Sequence, residues 1–595
     1  MELLNLDGVI EKGVFEIPSY QRGYAWQERQ LKDFWNDLEH VSKLGDKFHY
    51  MHSLTLRGLE NELEDSAFEI IDGQQRLATS LILLGLLAKT TQNKDPKYSL
   101  INLEPILSYK YYGLSEAFRA IMEEKDLERF QTSFYAKNLI DAYAFFKEKI
   151  SDTPVGTLEK MFDALIKKML FSVVELNDNR IDPFSSFETI NNRGKDLSTL
   201  ELLKNRLHFV AYEICDEEDL ENLQQEINDT YTRIYHDLRQ FEDAHLESFL
   251  KHFVAYYYGE NSKFKERLLN TAFDAHKKYD DLYDEYEKIN DLLLYLSYSS
   301  KVWYFLHTLD DEELRIEITS KMRGLLDKMR RLNALSDNAF LPLLLSLLTI
   351  QLAVRSGSER HYTTQELENL LEYLERFGFL IYGVAGKNTA KNEWIGLAFK
   401  AIQACRFWGD KITIENLPTL EKNFFKGEHS GLELLEEYIH SKKNTEKWYR
   451  WGKALNYLLY EYELYHNPET TLNFDDSIES IEHILPQKPD QGYSAKEKSW
   501  AKNPHIVHAL GNLLLIPKNA NSSLSNKPFD EKRKAYLKGS YSEKEVAKNA
   551  SFGVAQIKER SEKLLDFLIA RYRIAELVGE SAIKAFKNAL LKDIK

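Results

Sequence analysis

The chain is poor in cysteine, proline and glycine, and each shortage excludes something. Its two cysteines, Cys215 and Cys405, stand far apart in 595 residues. They form neither a disulfide framework nor a zinc spacing, and they suit a reducing cytoplasm. Thirteen prolines and 26 glycines rule out collagen-like or low-complexity character and leave long stretches open to helix. The N-terminal residues MELLNLDGVIEKG lack a basic segment followed by an apolar one, so no secretory leader is expected. The longest apolar run, Phe340 to Val354, contains Pro342 and Gln351 and falls short of the ~20 residues that span a bilayer. A buried helix is expected there, and no membrane partner. Positive charge is also scarce, with a net charge of −16, which argues against a protein coated along its length in nucleic acid.

What is present is an ordered composition, 43% apolar and 29% charged, too long for one core, since single cores stop growing at roughly 250 to 300 residues. The expected fold class is α+β, predominantly helical, in three parts. Over 1–210, short β-like runs (Val14 to Ile17, His52 to Gly58, Ala67 to Asp72, Leu170 to Leu176) mix with helices, notably Gln74 to Lys89, and a helical insertion lies at roughly 105 to 165. Residues 211–440 are almost continuous helix pattern without a clear repeat period. In 441–595 the texture changes. SIESIEHILPQ reads as a strand stopped by Pro486, and a long loop carrying Lys488, Lys496, Lys498 and Lys502 follows. GNLLLIP reads as a second strand, and Lys518 to Leu537 as helix, loop and helix. From Ile481 to Ser540 there are ten Lys or Arg against five Asp or Glu. A locally basic face on an acidic chain fits contact with DNA at one working surface, though ordinary solvated charge gives the same count.

The chemistry concentrates in that strand, loop, strand, helix order. Hydrolysis of a phosphodiester needs a base for water, charge stabilisation on the phosphate and help for the leaving 3′ oxygen. Glu482 and His483 are adjacent, so in an extended strand their side chains point to opposite faces. The carboxylate is then placed to ligate a metal while the imidazole activates water. Asn521 offers an amide oxygen to the same cation, and an all-oxygen shell suits Mg²⁺ or Mn²⁺. Asn512 is expected to hydrogen-bond across the strands and hold the His loop. IEHILPQ followed by GNLLLIPKNAN resembles the HNH nucleases, with His483 as general base, Asn512 as the central Asn and Asn521 in the metal position that colicin-like members fill with His. His505 and His508 match no motif position and are expected to be structural, or at most neighbours of the phosphate.

A second polar cluster lies near the N-terminus. IIDGQQRLATSLILL places Asp72, Gly73, Gln74, Gln75 and Arg76 between a strand and a helix, where a glycine turn, free N–H donors and a guanidinium suit an anion. A plain tight turn with a buried Arg accounts for the same residues, and no Walker A Lys-Ser/Thr follows. With IPSYQRGYAW and FETINNRGKDLSTLELLKN, the DGQQR segment resembles the N-terminal domain of the GmrSD family of modification-dependent restriction endonucleases. That domain is related to ParB and sulfiredoxin, and the family joins it to an HNH-type C-terminal domain.

The resemblance covers roughly 8 to 210 and 441 to 560. It implies a cytoplasmic type IV restriction enzyme that binds or hydrolyses an NTP of unspecified base and cuts double-stranded, modified phage DNA. It further implies that Asp72 to Arg76 contact nucleotide. Tyr20, Gln21, Arg22, Tyr24 and Trp26, with Asn191 and Arg193, would line the same pocket or read the modification; packing alone also explains the aromatic cluster. One HNH site cuts one strand at a time, so a homodimer or successive nicking is expected. Two other classes fit parts of the chain: a non-cleaving, nucleotide-switched DNA-binding protein like ParB, and a toxin-like nuclease acting on RNA or host DNA.

Overall fold

The computed structural model describes residues 2–595 except 60–66, 111–112, 177–196, 240, 242, 261, 275–278, 280–281, 313, 355–361, 389, 408, 418–430, 473–477 and 490–491, and the side chains of 217, 243–244 and 416. The chain forms two compact units, Met1–Leu314 and Arg315–Lys595. The helical stretch expected over 211–440 is therefore divided between them. The fold is α+β and predominantly helical. Among the described residues no helix is long and apolar enough to cross a membrane.

The N-terminal unit is built on a six-stranded mixed sheet. Its strands are β1 (Glu2–Asn5), β2 (Val14–Ile17), β3 (His49–Gly58), β4 (Ala67–Asp72), β5 (Leu107–Tyr109) and β6 (Met169–Glu175), in the spatial order β1-β6-β3-β4-β2-β5. β1 and β5, of four and three residues, are passed over by the sequence reading. β4 runs parallel to β2 and antiparallel to β3. Helix α1 (Gln74–Thr90) follows β4 after a single residue, and fourteen of its seventeen side chains are buried. A helix apolar all round belongs inside, and this one is the spine of the unit. Helix α2 (Phe134–Ser151) and helix α3 (Val155–Lys168) come from the insertion between β5 and β6 and pack against α1. Helix α4 (Thr199–Ile214) opens on a Ser198/Glu201 capping box.

Among the described residues the C-terminal unit is helical apart from one antiparallel pair, β7 (Glu479–His483) and β8 (Leu513–Pro517), in which His483 faces Leu513 and Glu482 faces Leu514. The apolar run forms helix α5 (Leu341–Ala353), with eleven of thirteen residues buried. The strand pair is followed by α7 (Lys518–Leu524) and α8 (Phe529–Tyr536), and then α9 (Val554–Arg571). Two details differ from the sequence reading. The expected long loop after β7 contains a helix, α6 (Ala495–Ala501), nucleated by a Ser494/Glu497 capping box. β8 begins at Leu513, because Gly511 and Asn512 form a 3₁₀ turn.

Gly511 is fixed by packing. A Cβ there would run into Ile557 O and Ser561 N of α9. Its own N–H donates to Ser561 Oγ at 2.8 Å. The buried Arg560 donates through Nη1 to Gly511 O at 2.9 Å and Leu513 O at 2.8 Å. The turn that leads into β8 is thus seated on α9.

Candidate functional site

The end of β7 carries the adjacent pair. Glu482 is 3% exposed and accepts from two side chains of α8, Lys532 Nζ at 2.6 Å and Tyr536 OH at 2.9 Å. Burial raises the Glu482 carboxyl and lowers the Lys532 ammonium, and their mutual contact opposes both shifts. Lys532 Nζ also donates to His483 O at 2.8 Å. Neither α8 residue was named from sequence, yet a signal was present. Phe529, Lys532 and Tyr536 fall on one helical stripe, a cation between two aromatics on the face that packs inward. Because Lys532 is wholly buried, one of the ten basic residues of this region is absent from its surface.

His483 is 7% exposed. Its Nε2 lies 3.1 Å from His508 Nδ1, and Gln487 Nε2 approaches its Nδ1 at 3.4 Å. The Tyr449 ring lies 4.8 Å from the His483 ring and stacks on His508 at 5.8 Å and 21°. Burial first, then His508 and Lys532, pulls the His483 pKa down to about 3, and burial lowers that of His508. Both rings are therefore neutral near pH 7. Tyr449 and the His508 contact are absent from the sequence reading, since they come from segments 34 and 25 residues away with no motif of their own. His505 sits apart from His508's role, 3.8 Å from Asp593.

Asn512 is fully buried and clamps the loop. Its Oδ1 accepts from Leu485 N at 2.8 Å, and its Nδ2 donates to Leu485 O at 2.9 Å and Val507 O at 2.7 Å. Asn521, on α7, donates through Nδ2 to Ser480 Oγ at 2.8 Å and Ile481 O at 3.1 Å. Both donor positions of its amide are taken, so the oxygen is the atom left over. Ser480 and Glu482 share one face of β7 by strand period, which brings Asn521 to the face that bears Glu482. An amide oxygen with its nitrogen tied down and a carboxylate on the same face suit a hard cation of the Mg²⁺ or Mn²⁺ kind. Among the described residues no cluster of three His, Cys, Asp or Glu could cage a metal alone.

The N-terminal cluster is tied differently. Gly73, at φ +102°, lets β4 turn directly into α1, and a Cβ there would meet Leu54 Cδ1 at 2.9 Å and Ser53 O at 3.1 Å. The glycine thus admits the neighbouring strand β3. Gln74 Nε2 donates to Arg22 O at 3.1 Å, Gln75 Nε2 to Gly23 O at 2.9 Å, and Gln75 Oε1 accepts from Ala25 N at 2.8 Å. Gln21 Nε2 returns the contact to Ile71 O at 3.1 Å and also to Ile70 O. Thr79 gives its proton to Gln75 O at 2.7 Å, so the 2.6 Å contact with Tyr24 is donated by the tyrosine.

Tyr20, Gln21, Arg22 and Tyr24 are all buried, while Trp26 is half-buried on the wall of a cavity of about 1030 Å³ with Phe134, Lys137 and Arg239. Arg76 donates to Ser53 O at 2.7 Å and to Asp72 Oδ2 at 3.0 Å. The structure brings Tyr20 to Tyr24 and Asp72 to Arg76 into one interlocked turn. Asn191 and Arg193 lie outside the described residues. Behind the turn, Lys204 donates to Ser19 O, and His208 lies 3.3 Å from Asn228 Oδ1.

Two family models match the chain. Residues 3–208 match the N-terminal domain of GmrSD restriction endonuclease, and residues 435–567 match the C-terminal domain of GmrSD restriction endonucleases. A search of curated proteins returns no match.

Proposed function

The chain belongs to the GmrSD restriction endonuclease family, and from that premise we propose that it is a metal-dependent nuclease of the HNH kind. On this reading it cuts modified phage DNA under nucleotide control, in antiviral defence. The observation that carries the chemistry is the His483 imidazole at the end of β7, held 3.1 Å from His508, beside a face bearing the Glu482 carboxylate and the tied amide of Asn521. His483 takes a proton from water at its Nδ1, the hydroxide pair forms the new P–O bond, and the bond to the 3′ oxygen breaks with its electrons on that oxygen. Lys532 holds the backbone of His483 and counters the charge of Glu482. Glu482 and Asn521 would hold the cation, which supplies charge neutralisation at the phosphate when bound.

For the nucleotide, the proposed contacts are Asp72, Gly73, Gln74, Gln75 and Arg76 with the first N–H groups of α1; the side-chain nitrogens of both glutamines are bonded to residues 22 and 23, and the buried Gln74 Oε1 is left over. Gln74 and Gln75 then hold the loop that carries Trp26. Paired strand scission is proposed to come from a homodimer or from successive nicks.

The test is cleavage of matched modified and unmodified phage DNA, and of RNA, with Mg²⁺ and with or without each NTP, beside His483→Ala. Modified DNA alone should be cut, and the variant should lose at least ~100-fold in rate. Equal cutting by wild type and variant overturns the role of His483. Cutting of RNA instead moves the chain to the toxin-like class. DNA binding without cutting moves it to the nucleotide-switched class.

A further inference from the structure

We propose that His508 is a positioning residue for His483: its Nδ1 is the acceptor that fixes the ring orientation and the tautomer of the base. The inference rests on the reading of His483 as the base and adds a residue that no motif supplies.

Three observations carry it. First, the contact is short and buried, with Nε2 of His483 3.1 Å from Nδ1 of His508 and both residues under a tenth exposed. Second, the pair is built from both sides. The carboxamide of Asn512 bonds the main chain of Leu485, two residues past His483, and of Val507, the residue before His508. One side chain thereby ties together the two segments that carry the rings, and Tyr449 packs on both of them. Third, the chemistry sets the direction of the bond. A base that accepts at Nδ1 must carry its own hydrogen on Nε2, so Nε2–H donates and His508 Nδ1 accepts, with the hydrogen of His508 on Nε2. When His483 gains the proton of water at Nδ1, the Nε2–H bond to His508 persists and is strengthened by the charge. Without that acceptor, the other tautomer places hydrogen on the atom that must accept.

The competing role for His508 is filling space beneath Tyr449, and the choice of variants separates the two. His508→Phe keeps a ring against Tyr449 and removes the acceptor, while His508→Asn restores an acceptor near the Nδ1 position with less bulk. In the full chain with Mg²⁺ and modified DNA, His508→Phe should lower kcat by about 10- to 100-fold at unchanged KM. His508→Asn should recover most of that loss, although it packs worse. Loss in both variants in proportion to their melting temperatures overturns the inference in favour of packing.

If wild-type cutting depends on His483 but His508→Phe cuts at the wild-type rate, the inference fails and the nuclease reading stands. Cutting that is independent of His483 defeats the reading itself. A crystal structure of His508→Phe gives a readout that needs no activity. The His483 imidazole should turn away from its present direction, and an unmoved ring with the same neighbours overturns the positioning role.

Discussion

Two polar clusters, one in each unit, differ in what their side chains hold. In the N-terminal unit, apart from the Arg76–Asp72 pair, the cluster is amide to main chain: Gln21, Gln74 and Gln75 reach main-chain atoms of a distant segment, and the turn and the 20–26 loop become one piece. In the C-terminal unit, Asn512 does the same for the His loop, but Glu482, His483, His508 and Lys532 reach one another. Amide to main chain is architecture: it fixes position and leaves no titratable group changed. Ionisable side chain to ionisable side chain alters which protonation states exist, which reactivity requires. Composition does not separate the two clusters, since both are dense in polar residues. Their partners do.

That contrast is open to attack, beginning with the largest effects. Asn512→Ala removes three buried bonds at once and should destabilise the C-terminal unit by about 3–5 kcal/mol; chemical denaturation followed by tryptophan fluorescence would read it. A stable, inactive Asn512→Ala protein would move Asn512 into the reactive class. Lys532→Met leaves the Glu482 carboxylate buried without its cation, for a cost of about 3–5 kcal/mol. Pairing it with Glu482→Gln should return much of that stability without returning cutting, so one double-mutant cycle separates fold from chemistry at this site.

Gln75→Ala removes the buried bonds to Ala25 N and Gly23 O and should cost about 2–4 kcal/mol. If it instead stopped NTP turnover at unchanged stability, the N-terminal turn would belong with the reactive cluster. The smallest effect is in pH. His208 is fully buried, and burial, then Lys204, holds its pKa at about 3, against 6.5 in the unfolded chain. The folded pKa is the lower one, so between pH 6.5 and 3 the unfolded chain holds a proton that the folded one refuses, and stability falls as pH falls. His208→Gln should flatten that slope in the N-terminal unit by about 1 kcal/mol per pH unit, measured as the denaturation midpoint between pH 6.5 and 4.

The sequence carried the strand order of the C-terminal site because each step has local grammar: alternation to His483, Pro486 as a stop, GNLLLIP as a strand, and Asn521 nine residues past Asn512. It carried α1 for the same reason. It did not carry His508 or Tyr449, whose relation to His483 exists only through tertiary packing across a segment without period. Lys532 was legible only as an oddity on an apolar stripe. The glutamines of DGQQR have partners that the sequence does not show. The main chain they bond lies about fifty residues earlier.

The seat of Gly511 on α9 has a consequence for modularity. The reactive residues span 482 to 532, and a strand pair with two helices of that length looks like a portable cassette. But the turn before β8 is held from behind by Arg560 and Ser561, so its keystone lies some forty residues beyond Asn521, the last residue of the motif. Grafted into another host without α9, the cassette would carry every group the chemistry needs and lack the wall against which Asn512 is set.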